Sequence, residues 1–185
     1  MKYIGETNMN IEYEVRVLEV DKEALVKKIE SLGATFIGSF EQKRYVFDTI
    51  PKEESKWIRL RTNGKSTTLT YKSVEAATID GTHEIEVEVS DFEKTRELLN
   101  ACGINHKGYQ ENRRIQYVLD GVEIDIDSWP LIPTYVEIEG KDEVSVMKMV
   151  KKLELNEEKL TTLDVMSVYD RIYHIDMNKI KDLRF

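Results

Sequence analysis

The sequence predicts an α+β fold: a barrel of eight antiparallel strands, flanked by helices. Three observations predict it. Extended segments recur about eight times along the 185 residues, turn signals join neighbouring ones, and Asp-opened amphipathic helices are inserted between strands. Eight antiparallel strands with few uncovered edges favour closure, because a closed sheet has no edge left to pair.

The elements follow in order. "NIEYEVRV" alternates as a strand does, since successive side chains on a strand point to opposite faces. "DKEALVKKIESLGA" opens on Asp21 as N-cap, carries Leu25, Val26, Ile29 and Leu32 at helical spacing, and stops at Gly33. "TFIGSFEQKRYVFDTI" is a long strand ended by Pro51. "KWIRLRT" and "STTLTYKSV" flank Asn63-Gly64, a strong hairpin signal. "THEIEVEVS" alternates almost strictly, and "DFEKTRELLNACG" repeats the Asp-opened helix, closing on Gly103. "YQENRRIQYVL" and "VEIDIDSW" form a hairpin around Asp120-Gly121, and "PTYVEIEG" is a further strand. From Asp142 on, "DEVSVMKMVKKLEL" and "TTLDVMSVYDRIYHI" read as helical, giving a C-terminal helical segment over about 142–180. That tail either caps one end of the barrel or forms a homodimer contact. The stretches "IEYEVRVLEVDKEALVKKIESLGA" and "HEIEVEVSDFEKTRELLNACGI" echo one another, either as an internal duplication or as two uses of a common pattern. No linker or composition change divides the chain, so residues 1–185 read as one domain with its core at about 10–173.

Bulk properties exclude several classes. A net charge of −8 argues against a nucleic-acid partner held by a general basic surface. No apolar run approaches the roughly 20 residues of a membrane helix, and "MKYIGETNMN" lacks the apolar centre of a signal peptide. One cysteine, Cys102, permits no internal disulfide and fits a cytoplasmic location. His83, His106 and His174 show no metal-ligand spacing.

Strand parity carries the functional information. One face of each strand bears charge: Glu12, Glu14 and Arg16; Arg59 and Arg61 with Trp57; Lys72 with Thr68 and Thr70; Glu84, Glu86 and Glu88; Arg114 with Asn112 and Gln116; Glu123, Asp125 and Asp127; Glu137 and Glu139 with Tyr135. The opposite faces are largely aliphatic. In one arrangement the aliphatic faces fill the barrel and the charges are solvated. In the other the charges line a polar tunnel and the aliphatic faces pack outward on the helices. Segregation of sign by strand favours the tunnel, since like charges on one face repel and solvated sheets usually mix signs. Carboxylates on one wall suit Mg²⁺ or Mn²⁺, and guanidinium or ammonium groups on another suit phosphate oxygens.

The Glu12-x-Glu14-x-Arg16 stretch resembles the ExExK signature of the CYTH superfamily, the triphosphate tunnel metalloenzymes. The Arg59/Arg61, Lys72, "EIEVE", Arg114 and Asp127 strands and "YVEIE" follow in that family's order. The resemblance implies an eight-stranded tunnel with a charged interior. It implies Glu12, Glu14, Glu137 and Glu139 as metal ligands, with Asp127 nearby. It implies Arg16, Arg59, Arg61, Lys72 and Arg114 as a triphosphate clamp, with Arg16 and Lys72 in catalytic positions. Glu84, Glu86, Glu88 and Asp125 form a second acidic wall, for a second metal or for holding the cations. The implied activity is metal-dependent hydrolysis of tripolyphosphate, a nucleoside triphosphate or thiamine triphosphate. The alternatives are cyclisation of ATP by a class IV-type adenylate cyclase and a non-catalytic polyphosphate- or nucleotide-binding module. Three departures stand out: arginine at position 16 instead of lysine, "SWPLIP" in place of a glycine turn, and Lys43-Arg44 where many relatives are acidic; Arg44 either adds to the clamp or sits at the tunnel rim, the rim being the favoured expectation. Trp57, Trp129, Tyr135 and Phe47 are the aromatic candidates for a base pocket.

Overall fold

The computed structural model describes residues 9–185; the signal-peptide reading of the first ten residues falls mostly outside them. Eight strands form the wall: β1 (Asn10–Val17), β2 (Thr35–Asp48), β3 (Lys56–Thr62), β4 (Thr67–Val74), β5 (Thr82–Glu88), β6 (His106–Leu119), β7 (Val122–Ser128) and β8 (Tyr135–Gly140). The sheet runs β6-β2-β3-β4-β5-β1-β8-β7, and pairing of β7 with β6 closes it. Every pairing around this ring is antiparallel. The unit β1 to β4 and the unit β5 to β8 can be exchanged without changing the ring order. The sequence echo therefore corresponds to two topologically equivalent halves.

Among the described residues, three helices of ten residues each lie outside. Both α1 (Lys22–Ser31) and α2 (Phe92–Ala101) start on an aspartate whose side chain accepts a backbone N–H three residues on, from Ala24 and Lys94. Beyond their ends, Gly33 and Gly103 adopt φ of +78° and +85°, a conformation glycine takes without steric cost. The third, α3 (Glu143–Lys152), has a capping box between Asp142 and Ser145.

The helices decide which face of the barrel is the core. Leu25 and Ile29 of α1 and Val146, Met149 and Val150 of α3 bury the outward residues Val15, Val17, Ile124, Ile126, Val136 and Ile138. Tyr117 also points outward and donates to Glu30 at 2.9 Å. The aliphatic faces are thus spent outside, and the polar faces turn inward. Ile138→Ala, at a fully buried position, is expected to cost about 3 kcal/mol. Urea denaturation measures it, and a loss below about 1 kcal/mol would contradict an external core.

The tail departs from the predicted helix. It forms β9 (Leu160–Thr161) on β1, then α4 (Val165–Ser167) running into a π-helical turn at Val168–Ile172, a 3-10 turn at Met177–Lys179, and β10 (Asp182–Leu183) parallel to β6. The side chain of Asp164 caps α4 late, accepting from the backbone of Met166 and Ser167, so no helix propagates from Thr161. His174, at φ +56°, lies just past the turn. The apolar residues of this segment pack instead as a second cluster, with Val168, Tyr169 and Leu183 against Leu18, Trp129 and Tyr135.

Candidate active site

The inward faces enclose a cavity of about 570 Å³. Its acidic wall comes from β7, β8 and β1, and its basic wall from β2, β3 and β4. Asp164 to Ser167, Asp170, Arg171 and Ile180 also line it, so the tail contributes to one end. Among the described residues no helix is long and apolar enough to cross a membrane.

Register builds the acidic wall. Glu14 lies opposite Glu139 and Arg16 opposite Glu137 in the β1–β8 pairing, while Asp125 lies opposite Glu137 between β7 and β8. One oxygen from each of Glu14, Glu137 and Glu139 falls within 4.8 Å of the others. Burial, with Glu12, Glu137 and Glu14 adding repulsion, pushes Glu139 up to about 8. No cation pairs with Glu139 among the described residues. Burial works to raise Glu137 too, but Arg16 and Arg114 outweigh it and hold that carboxyl well below its usual range. A buried, oxygen-only donor set with one unpaired carboxylate fits a hard divalent cation.

Other predicted ligands are engaged elsewhere. Glu12 accepts from Lys72 Nζ at 2.6 Å, and Glu84 lies 3.2 Å from the same nitrogen. Asp127 takes Arg114 Nε at 2.9 Å and Nη2 at 2.6 Å, with Asn112 and Tyr135 completing its shell. Asp125 also bonds Arg114, and burial, reinforced by Asp127 and Glu137, pushes it up to about 7. Glu86 accepts from Thr70 at 2.6 Å and faces Arg59 at 3.4 Å and Arg61 at 3.8 Å. Glu88 ends β5 exposed, beyond the cavity lining.

The cations divide into two sets. Arg16 is held through its terminal nitrogens by Glu137 at 2.5 Å, Glu14 at 3.1 Å and the Leu163 carbonyl at 2.9 Å, while its Nε is buried without an acceptor. Arg114 is held by Asp125, Asp127 and Glu137. Despite burial, these carboxylates raise both guanidinium groups well above the usual value. On the basic wall the balance reverses. Arg59, followed by burial and Arg114, brings Arg61 down to about 10. Arg44, expected at the rim, is instead buried inside, because it shares the inward parity of Gln42 and lies opposite Arg61 in the β2–β3 register. Burial, then Arg59 and Arg61, pushes its guanidinium far down. The signal was in the sequence: Gln42 and Arg44 alternate with the exposed Glu41 and Lys43.

Of the aromatic candidates, Trp57, Trp129 and Tyr135 line the cavity. Phe47 is fully buried and packs near His106, outside that lining.

The acidic cluster makes a pH prediction for chelator-treated protein. Glu139 and Asp125 both titrate higher in the fold than in the unfolded chain. Between about pH 4 and pH 8 the native state therefore holds protons that the unfolded state has released, so stability falls as pH rises. The melting temperature in chelator should drop from pH 5 to pH 8, and Mg²⁺ should restore it most at pH 8. A flat profile would contradict the clustering.

The CYTH domain family model matches residues 9–165. A Methanocaldococcus jannaschii protein named as a proposed adenylate cyclase is 27% identical over 163 residues, 81% of this chain and 93% of that protein. A Pyrococcus horikoshii structure superposes with a TM-score of 0.72 at 28% identity, over 83% of this chain and 96% of the other. A Hippeastrum structure, described as a proposed adenylyl cyclase with a dominant triphosphatase activity, superposes with a TM-score of 0.58 at 16% identity, over 92% of this chain and 99% of the other.

Proposed function

From the premise that the chain belongs to the CYTH domain family, we propose that it is a divalent-metal-dependent hydrolase of a triphosphate bound in the tunnel. One observation carries this reading. The basic wall holds more buried guanidinium charge than its carboxylates neutralise, while across the cavity Glu139 has no cation. Neither half suits an empty interior, because buried charge is stable only when paired. A phosphate chain with its divalent metal supplies both missing partners.

Glu14, Glu137 and Glu139 would hold Mg²⁺ or Mn²⁺. When bound, the metal neutralises phosphate oxygens and polarises the bond to be broken. Arg59 and Arg61 share a single carboxylate, Glu86, and would present their remaining charge to the phosphates. Lys72 has three donors, of which Glu12 and Glu84 occupy two, leaving one N–H for a phosphate oxygen. Arg16 adds fixed charge but no transferable proton, since guanidinium does not deprotonate. It also tethers the tail through Leu163. Asp125, which burial pushes up to about 7 and whose Oδ1 has no partner, would accept the proton of a water attacking the terminal phosphorus. Catalysis is then mainly positioning and electrostatic stabilisation.

The second reading is cyclisation of ATP, favoured by the name of the Methanocaldococcus relative. It needs an aromatic platform for adenine. Trp129 is covered by Arg44 and Tyr135 bonds Asp127, so only the half-buried Trp57 is available. Hydrolysis asks for no platform.

The test supplies Mg²⁺ or Mn²⁺ with tripolyphosphate, ATP and thiamine triphosphate in parallel, following phosphate and cyclic AMP. Phosphate without cyclic AMP supports hydrolysis. Cyclic AMP with pyrophosphate overturns it in favour of the cyclase, and no product alongside tight metal-dependent binding leaves a binding module.

A further inference from the structure

Arg44 is the anomaly of the tunnel. Its side chain is 6% exposed, yet no carboxylate lies within 4.0 Å of it among the described residues. Its Nη2 donates to two neutral amide oxygens, Gln42 at 3.0 Å and Asn112 at 2.5 Å, and its guanidinium stacks 4.5 Å from the centre of the Trp129 ring. Arginines that serve the fold find carboxylates, as Arg16 and Arg114 do in the same cavity. A buried guanidinium held only by amides and an indole, with Arg59 and Arg61 for neighbours, is short of an anion.

Two further donors point to the same need. Arg44 Nε and Trp129 Nε1 are both buried without an acceptor, and both residues line the cavity. Trp129 is 3% exposed, its ring packs T-shaped with Tyr169 at 6.3 Å between ring centres, and Arg44 occupies its face. Such a pair cannot stack a base. It can donate to an oxygen-rich anion, for which a phosphate group is suited. Arg44 also lies directly across from Arg61 in the β2–β3 ladder, so an anion held there continues the row held by Arg59 and Arg61.

We propose that Arg44 and Trp129 form a fourth phosphate subsite contiguous with Arg61, so that the tunnel prefers a linear inorganic chain of four or more phosphates to a triphosphate. This rests on the hydrolase reading of the tunnel and adds its substrate class.

Binding is measured with Mg²⁺ by thermal shift and by initial rates, using tripolyphosphate, tetrapolyphosphate and, as control, orthophosphate. Wild-type protein should favour tetrapolyphosphate by about tenfold, the worth of hydrogen bonds to one charged group. Arg44→Gln should bring the two chains to within about twofold. It should also melt no lower than wild type without ligand, since it removes an unpaired buried charge. Trp129→Phe keeps the ring but loses the N–H, and should reduce the preference in part; it carries the test if the Gln variant fails to fold. Equal weakening of both chains by Arg44→Gln would put Arg44 in the triphosphate clamp and overturn the proposal. An unchanged ratio would make the pair structural and overturn it as well. Failure of wild-type protein to bind tripolyphosphate would instead remove the hydrolase reading on which the proposal stands.

Discussion

Glu139→Gln is expected to lower triphosphate turnover by about a thousandfold, the several kcal/mol a metal supplies, while the ligand-free protein melts at or above the wild-type temperature. The two halves have one cause. Glu139 belongs to the three-carboxylate cluster but pairs with no cation among the described residues, and burial, reinforced by its acidic neighbours, already favours its protonated form. An amide removes a metal ligand and breaks no ion pair. Glu137→Gln makes the contrast. It lies in the same cluster but bonds Arg16 at 2.5 Å and Arg114 at 3.3 Å, so its loss leaves two buried guanidinium groups short of a partner. That change should abolish turnover and also cost about 3–5 kcal/mol of stability. Denaturation curves and rates for both variants decide the matter. A Glu139→Gln enzyme that turns over normally, or one destabilised like Glu137→Gln, would sink the assignment of this cluster.

Much of the architecture was legible because the alternation is strong and local. Asn63-Gly64, Asp120-Gly121 and the Asp21 and Asp91 caps mark boundaries by chemistry confined to a few residues, and the structure places hairpins and helices there. Which face turned inward was harder, since parity sorts side chains without saying what covers them. The helices settle it by burying Ile138 and its neighbours from outside. Pairings across strands were not legible. Nothing near Glu12 indicates that Lys72, 60 residues on, binds it, nor that Arg114 draws Asp127 away from the carboxylate cluster. Register is a property of the closed ring, and it engages Glu12 with Lys72 and Asp127 with Arg114 while leaving Glu139 without a cation among the described residues. The tail misled for a different reason. Its apolar spacing fits a helix, but Asp164 caps only the last part, and Leu160–Thr161 are drawn into pairing with β1.

Arg61→Gln is expected to weaken triphosphate binding and turnover while stabilising the empty protein, the reverse of what a structural arginine would do. Arg61 has one carboxylate partner, Glu86, at 3.8 Å and shared with Arg59. Arg59, burial and Arg114 together disfavour its charge, bringing the guanidinium down to about 10. That pKa is still far above neutrality, so the group stays cationic at pH 7 and its cost to the fold persists across the physiological range. Removing it should therefore raise the ligand-free melting temperature slightly. A phosphate chain lying on this wall would lose a charge-assisted contact, so kcat/KM should fall by about a hundredfold. Arg114→Gln supplies the opposite control: it strips partners from Asp125, Asp127 and Glu137 and should destabilise by about 3–5 kcal/mol with or without ligand. Melting and rate measurements on the two variants separate a guanidinium kept for the substrate from one kept for the barrel. If Arg61→Gln instead melts lower and binds tripolyphosphate unchanged, the basic wall serves the fold and the triphosphate site lies elsewhere in the tunnel.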